Sequence, residues 1–248
     1  MTKRFFGFAL IIFAFASCKK ESTTLDTASV SDYFPLQVGK YITYDLDSTV
    51  FTNFNQNKTI RHYQAKYQVE DTTTDNLGRK GFIIYRYLRS DSTKGWSIDN
   101  VFTAYNTGKS IEFNEDNLRF IKLVMPIDEG FSWKGNSYLP IYPYPMYQST
   151  GTSSTEDWNY IYDSIGVPLT INSVTIANTL KVNEVDDSLG DPSLQPNEYA
   201  YKTYSVEKYG KGIGLIYREN FLWEYQPLYT ISPGYTGFGV RMTIIDHN

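Results

Sequence analysis

Apolar and polar residues alternate along most of this chain, with the two-residue period of a β-strand. Between residues 41 and 47, apolar Ile42, Tyr44 and Leu46 are separated by polar residues, and the same alternation runs from residue 62 to residue 69. Successive side chains of a strand point to opposite faces of a sheet. Each segment therefore predicts a strand with one face towards a core.

Further segments with strand character follow at regular spacing, separated by residues typical of turns. They are Gly81–Arg89, Trp96–Tyr105, Ser110–Phe113, Leu118–Met125, Trp158–Ser164, Val174–Asp186, Tyr199–Tyr209, Gly214–Leu222 and Gly237–Asp246. Short consecutive strands favour an antiparallel meander. We predict an all-β protein with at most one short helix besides the N-terminal segment described next. Its curved antiparallel sheet would form an open half-barrel or a sandwich.

The first 17 residues have the pattern of a secretory signal peptide. Lys3 and Arg4 precede an apolar stretch of 12 residues, and small Ser17 precedes Cys18. A basic start, a short apolar stretch and a small residue at the cleavage site define such peptides. The apolar stretch is too short to cross a hydrocarbon core of roughly 30 Å. We therefore predict a signal peptide over residues 1–17, cleaved between Ser17 and Cys18.

Cys18 is the only cysteine of the chain. A lone thiol in an exported protein has no disulfide partner within its own chain. Residues 15–18, Phe-Ala-Ser-Cys, resemble the lipobox of bacterial lipoproteins, with Phe15 in place of the usual Leu. The resemblance implies acylation of Cys18, which supplies the lipid chains that stable anchoring needs. The alternative is a cysteine that follows a cleavage site without lipid.

The residues after Cys18 are polar and rich in Ser and Thr. They predict a lipid-anchored flexible tether over residues 18–32, followed by a single antiparallel β domain over residues 33–248. Surface-exported lipoproteins of the Bacteroidota type are usually acidic just after the cysteine, whereas Lys19 and Lys20 stand here. We therefore expect an outer-membrane lipoprotein that faces the periplasm rather than the cell surface.

Charge and composition exclude several classes of partner and site. Without Lys3 and Arg4, the mature chain has 21 basic and 27 acidic residues, so its net charge is 21 − 27 = −6. This charge argues against binding to nucleic acid. His62 and His247 are the only histidines, so we predict neither a zinc site nor any other metal site or cofactor. Neither histidine is expected to act as a catalytic base.

Two groups of residues are candidates for contacts with ligands or glycans. A loop rich in proline and tyrosine over residues 138–155 could form a ligand rim, or could simply pack over the end of the sheet. The rim candidates are Tyr138, Tyr142, Tyr144 and Tyr147. A recurring Asp-Ser/Thr tripeptide resembles the O-glycosylation sequence of Bacteroidota periplasmic proteins, although it also suits strand ends. The acceptors would be Thr27, Ser48, Thr72, Ser92, Ser164 and Ser188.

Short motifs give the chain a resemblance to a known group of proteins. Phe34-Pro35-Leu36 with Gly39-Lys40-Tyr41, and the glycine-rich segment from Tyr209 to Glu219, resemble uncharacterised β-rich lipoproteins of the Bacteroidota type. The chain also distantly resembles lipoprotein carriers of the LolA/LolB kind, which have an open half-barrel. The glycines precede a strand and not a helix, so they do not predict a phosphate loop. The resemblance implies no known activity.

Three functional hypotheses remain open. The leading one is a non-enzymatic binding or structural module, anchored to a membrane, that holds an apolar ligand or docks to an envelope protein. The second is a glycan-binding surface lipoprotein. The third is a carboxylate-based hydrolase that uses neighbouring acids such as Glu115-Asp116 or Asp186-Asp187. Adjacent residues of a strand point to opposite faces, which disfavours the third.

Overall fold

The computed structural model describes residues 28–141, 143, 154–227, 229–231 and 233–248. These residues form one short α-helix, α1 (Val30–Tyr33), a 3-10 helix at Thr155–Asp157, and one twelve-stranded sheet. The strands are β1 (Tyr41–Thr52), β2 (Asn57–Thr74), β3 (Lys80–Arg89), β4 (Ser97–Asn106), β5 (Ser110–Glu115), β6 (Leu118–Val124), β7 (Ser132–Lys134), β8 (Asn159–Ile171), β9 (Val174–Leu189), β10 (Ala200–Gly210), β11 (Gly214–Gln226) and β12 (Gly234–His247). The predicted all-β class is confirmed.

The sheet is an antiparallel meander that returns to its starting point. Its strand order is β6-β5-β4-β3-β2-β1-β12-β11-β10-β9-β8-β7, so consecutive strands pair with each other, except β6 and β7, which are the two edges. In addition, the last strand, β12, pairs with the first, β1. The alternating pattern of the sequence gives each strand an apolar inner face. The result is a nearly closed barrel with a seam between β6 and β7.

Two hydrogen bonds join the seam. The Ile121 amide of β6 donates to the Gly135 carbonyl at 2.7 Å. The Trp133 indole Nε1–H of β7 donates to the Ile121 carbonyl at 2.8 Å. Closing a barrel in this way removes exposed strand edges, which otherwise pair with other chains. The sheet is curved as predicted, and it is more nearly closed than an open half-barrel.

The sequence analysis missed β7 and the second half of β8. β7 has only three residues, too few to show a two-residue period. β8 continues past Ser164 and contains Pro168, which has no partner in the register with β9. The short β7 pairs only with residues 159–161, so the rest of β8 is a sheet edge. Proline is tolerated at such edges because no ladder donor is lost.

The ordered domain begins earlier than the predicted boundary at residue 33. Ser29 caps α1 in a reciprocal arrangement with Asp32, and Val30 is fully buried in the main core. Residues 28–32, assigned to the flexible tether, are therefore part of the packed domain. α1 contacts β5 and β11 at one end of the barrel. The burial of Val30 could not be predicted from the sequence, because the residues around it are mostly polar.

A row of aromatic rings fills much of the barrel interior, which we call the lumen. Neighbouring rings in this row lie 5.4–6.2 Å apart between their centroids, and two of the five pairs meet edge to face. Such pairs add to the stability that their burial provides. The row consists of Tyr44, Tyr67, Phe102, Phe113, Phe34 and Tyr209. The lumen is therefore not one continuous apolar cavity.

Replacing Val30 with Ala tests whether residues 28–32 belong to the domain. The substitution would leave a void in the main core, so we expect the free energy of unfolding to fall by about 2 kcal/mol. Val38→Ala is the matched control, because Val38 is 50% exposed. Its effect should stay within about 0.5 kcal/mol. Equal, small effects of both substitutions in urea unfolding would show that α1 does not contribute to the fold.

Candidate functional site

Charged side chains meet inside the lumen. The Lys122 ammonium of β6 lies 3.1 Å from Glu184 Oε1 of β9 and 2.8 Å from Glu207 Oε1 of β10. Lys122 is 5% exposed, Glu184 3% and Glu207 2%. Buried ions need partners of opposite charge and further hydrogen bonds. The Ser205 hydroxyl donates to Glu184 at 2.6 Å, and the Tyr209 hydroxyl donates to Glu207.

A second ion pair extends this cluster along the lumen. Arg218 Nη1 of β11 donates to Glu115 Oε2 of β5 at 3.2 Å. The Nε of the same guanidinium lies 3.5 Å from Glu207 Oε1. The ion cluster thus comprises Glu115, Lys122, Glu184, Glu207 and Arg218. It connects β5 and β6 on one side of the seam with β9, β10 and β11 on the other.

Two members of the ion cluster lie at β-bulges. In the β5–β6 pairing, Ile111 lies opposite Leu123 and Glu112 opposite Ile121, so Lys122 is the additional residue. In the β9–β10 pairing, Glu184 is the additional residue, because Ser205 lies opposite Val185 and Val206 opposite Asn183. Lys122 continues the buried series of Leu118 and Phe120, and Glu184 that of Leu180 and Val182, so the alternation of each strand points its side chain into the lumen.

The pKa values of the two acids shift in opposite directions. Burial raises the pKa of Glu184 above its usual value, and the nearby negative charge of Glu207 raises it further, although Lys122 opposes both effects. Burial also disfavours ionised Glu207, but the charges of Lys122 and Arg218 outweigh it and lower the pKa of Glu207. As the pH falls, Glu184 is therefore protonated before Glu207.

The aromatic row and the ion cluster divide the lumen into two cavities. The smaller, near α1, has a volume of about 80 Å³ and a mostly apolar lining. The larger lies towards the opposite end and has a volume of about 300 Å³. Tyr67 and Arg218 line both cavities, so they form the partition between them. The larger cavity has the size at which small-molecule sites begin.

The larger cavity has an apolar wall and a polar end. Leu46, Leu88, Phe238, Val240 and Met242 form most of the apolar wall. Arg86, Glu115, Arg218 and Asn220 are its charged and amide groups. Within the described residues, four buried polar atoms have no hydrogen-bond partner, and two of them, Arg218 Nε and Asn220 Oδ1, belong to residues of this lining. Both atoms are fully buried, and Arg218 Nε lies 3.5 Å from Glu207 Oε1, which belongs to the lining of the smaller cavity.

The structure brings few of the sequence-predicted site residues together. Tyr138 is 54% exposed, and the Arg119 guanidinium lies 5.3 Å from the centre of its ring. Tyr142, Tyr144 and Tyr147 lie outside the described residues, as do Ser17 and Cys18. The predicted tyrosine rim, cleavage site and lipidation site therefore stay predictions.

The predicted O-glycosylation acceptors differ in accessibility. Thr72, Ser92 and Ser188 are exposed, whereas Ser48 and Ser164 are half-buried. Ser48 lines the larger cavity from the inner face of β1. Thr27 lies outside the described residues. Glycosylation stays a prediction at each of these positions.

The described residues offer no clear centre for hydrolysis or metal binding. The His62 imidazole is 76% exposed and lies 2.6 Å from Asp47 on the outer face. Adjacent Glu115 and Asp116 separate as expected, because Glu115 enters the lumen and Asp116 lies in the turn that follows. No group of three or more potential metal ligands occurs among the residues with described positions. Within those same ranges, no helix is long and apolar enough to cross a membrane.

Sequence reasoning missed the ion cluster. One cue existed, because Lys122 interrupts the otherwise apolar alternation of Leu118 and Phe120 on the inner face of β6. The acids that reach Lys122 lie 62 and 85 residues further along the chain, on other strands. Neither the register between distant strands nor the bulges can be derived from the local pattern.

Replacing Lys122 with Met tests whether the ion cluster stabilises the barrel. The substitution keeps the length of the side chain but leaves Glu184 and Glu207 buried without their cation. We expect the free energy of unfolding to fall by about 3–5 kcal/mol. Lys109→Met is the matched control on an exposed turn, where the change should stay within about 0.5 kcal/mol. Equal stabilities of the two variants would contradict a structural role for the cluster.

Glu184→Gln should have an effect that depends on pH. In the folded protein the pKa of Glu184 is raised above 4.5, so its contribution is fully present below that pH and is lost as the pH rises through the folded value. Glutamine does not titrate. The stability of the variant relative to the native protein should therefore increase as the pH rises from about 4.5. Unfolding curves from pH 4 to pH 8 measure this difference, and a difference that decreases with pH would contradict the assignment.

Comparisons with known proteins give distant matches. No family model matches the chain, and no curated protein matches it. Among solved structures, a "putative lipoprotein" from Parabacteroides distasonis ATCC 8503 is 11% identical, covers 87% of this chain and 98% of its own, and has a TM-score of 0.40.

Two further structures are similar at the same distant level. A "putative exported protein with YmcC-like fold" from Bacteroides fragilis NCTC 9343 is 12% identical, with coverage of 88% and 100% and a TM-score of 0.34. LprF from Mycobacterium bovis is 9% identical, with coverage of 83% and 85% and a TM-score of 0.20. The first two structures come from the bacterial group that the sequence motifs resemble. Because all three TM-scores are low, these similarities carry no argument about function.

Proposed function

We propose that this protein is a lipid-anchored protein of the cell envelope whose barrel binds one small ligand with an apolar body. The observation that carries the proposal is the larger cavity, which combines an apolar wall with charged and amide side chains at one end. Concave sites with a few placed polar groups are the usual geometry of small-molecule binding.

The division of the lumen into two cavities limits the size of the ligand. The larger cavity has a volume of about 300 Å³. The aromatic row and the ion cluster block extension of the cavity towards α1. A molecule with several long acyl chains would not fit without displacing buried charges. The proposed cargo is therefore smaller than the lipoprotein that a carrier of the LolA/LolB kind would hold.

The position of the anchor is consistent with access to this cavity. α1 lies at the barrel end where β1 begins, and the larger cavity lies towards the end where β1 finishes. The ten residues from Cys18 to the first described residue can span at most about 35 Å. Acylated Cys18 would thus hold the α1 end towards the membrane. The opening of the cavity, beside half-buried Tyr63 and Val240, would face away from it.

Filling the larger cavity should abolish ligand binding. Val240→Phe adds a ring to the cavity wall. Because this ring and 1-N-phenylnaphthylamine would occupy the same space, we expect the probe to bind at least about tenfold more weakly. The fluorescence of this probe rises in apolar surroundings and measures its binding directly. A cooperative thermal unfolding transition should confirm that the Val240→Phe variant is folded.

Val101→Phe is the matched control for this experiment. Val101 is 48% exposed on β4 and does not line the larger cavity. This control should bind the probe as the native protein does. Absence of binding by the native protein, or equal binding by both variants, would overturn the proposed cavity function.

Cys18→Ala tests the proposed anchor. The native protein, expressed in a Bacteroides-type host, should incorporate labelled palmitate and remain in the membrane fraction. The variant should lose both properties, because a chain without acyl groups lacks stable membrane attachment. A variant that stays in the membrane fraction without label would contradict the lipid anchor, while the cavity experiment would still stand.

A further inference from the structure

We propose that a groove on the outer face of the barrel binds a neutral saccharide. This outer groove has a volume of about 380 Å³ and is lined by β1, β2 and β9–β12 and by the loop that follows β9. No residue of its lining also lines either cavity of the lumen. The proposal therefore adds a second site and does not depend on the ligand proposed for the lumen.

The alternation of the strands places this groove on the outside of the barrel. On β12, Val240 lines the larger cavity, so its neighbours Gly239 and Arg241 face outward. On β11, Asn220 lines the same cavity, and Phe221 faces outward for the same reason. The inner sides of these two strands thus belong to the lumen, and their outer sides belong to the groove.

Two aromatic rings of β11 form the floor of the outer groove. Phe221 and Trp223 lie two residues apart on one face of the strand, and both are half-buried. The Phe221 ring lies over Gly239 of β12, where any side chain would overlap it. The face of an aromatic ring carries partial negative charge, so it attracts the C–H groups on the face of a sugar ring.

Two carboxylates of the groove can accept hydrogen bonds from a ligand. Asp47 Oδ1 lies 2.6 Å from His62 Nδ1, and Asp191 Oδ1 accepts from the Ser193 amide at 2.9 Å and from its hydroxyl at 2.7 Å. The Oδ2 atoms of both acids make no hydrogen bond to any residue with a described position. Asp47 is half-buried and Asp191 is exposed, so a ligand in the groove can reach them.

Lysine side chains supply donors beside these acids. Lys58 Nζ lies 5.5 Å from the centre of the Trp223 ring, and Lys202 Nζ lies 4.8 Å from the centre of the Phe221 ring. A lysine has a flexible stem and three donors on its ammonium group. A sugar that packs on the two rings would therefore displace the ammonium groups towards its own hydroxyl oxygens.

The mixture of charges favours a neutral ligand with many hydroxyl groups. Arg241 also lines the groove, and it pairs with Glu219 at 2.6 Å, so three basic side chains face three acidic ones. A ligand with a net charge would meet groups of its own sign. An apolar ligand would remove charged groups from water without pairing them. Each hydroxyl of a sugar both donates and accepts, so a neutral saccharide pairs with both kinds of group.

A glycan array of neutral and acidic oligosaccharides is the probe for this site. The native protein should bind neutral members, and titration with the strongest of them gives the reference affinity. Trp223→Ala should weaken this binding by about tenfold or more, because it removes a ring on which the sugar packs. Trp223 does not line the larger cavity, so unchanged binding of 1-N-phenylnaphthylamine would show that the variant is folded.

Trp96→Ala is the matched control for Trp223→Ala. Trp96 is also half-buried beside a cation, since the Arg89 guanidinium lies 4.2 Å from the centre of its ring. It does not line the outer groove. This control should bind the saccharide as the native protein does.

Ser188→Phe tests the groove without removing any contact of its floor. Ser188 is exposed on the β9 side of the groove, so a phenyl ring at this position would occupy the space of the ligand. We expect saccharide binding to weaken by about tenfold or more. Ser92→Phe, at an exposed turn that does not line the groove, is the control and should bind normally.

The dependence of binding on salt tests the neutral class of the ligand. Between about 0.01 M and about 1 M NaCl, the Debye length falls from about 30 Å to about 3 Å. The affinity for a neutral saccharide should change by less than about twofold over this range, because no net charge is screened. An anionic ligand held by Lys58 and Lys202 would instead bind much more weakly at the higher concentration.

The outcomes separate the site from the class of ligand. An array on which no neutral oligosaccharide binds would overturn the proposal. Equal affinities of Trp223→Ala, Ser188→Phe and their two controls would overturn the outer groove as the site. A preference for acidic oligosaccharides that disappears at high salt would overturn the neutral class. Failure of the lumen to bind 1-N-phenylnaphthylamine would overturn the proposed function and leave the saccharide site standing.

Discussion

Lys122, held between Glu184 and Glu207 in the centre of the lumen, is the interaction on which the rest of the structure depends. Transferring ions from water to a protein interior costs several kcal/mol for each ion, and only close partners compensate for it. Removing Lys122 would leave Glu184 without its cation and Glu207 with only the more distant Arg218. The cluster therefore constrains the relative positions of β6, β9 and β10, and so the closure of the barrel across a seam that has few backbone hydrogen bonds.

The same constraint shapes the space inside the barrel. Arg218 extends the cluster to Glu115 and shares with Tyr67 the partition between the two cavities. A barrel lined only with apolar residues could hold a long lipid or collapse into a filled core. Here the buried charges keep the lumen divided, and Glu115 and Arg218 of the ion cluster line the larger cavity. The size of the proposed ligand is thus a consequence of how the fold is stabilised.

The alternating pattern was sufficient to predict the fold class and eleven of the twelve strands, because one buried face imposes a two-residue period on each of them. It could not predict β7, whose three residues carry no period. The candidate site was missed for a different reason. Lys122 and Glu184 follow the alternation of their own strands, but which acids meet Lys122 depends on how distant strands pair around the barrel. Val30 shows the same limit, since its burial depends on a barrel end formed by distant strands.

A crystal structure of the protein with 1-N-phenylnaphthylamine bears directly on the link between the buried charges and the larger cavity. We expect the probe in the larger cavity, against Leu46, Val240 and Met242, with the ion pairs of Lys122 unchanged. A structure in which the probe binds elsewhere, or in which the ion pairs of Lys122 are broken to admit it, would contradict the proposal that the divided lumen binds one small ligand.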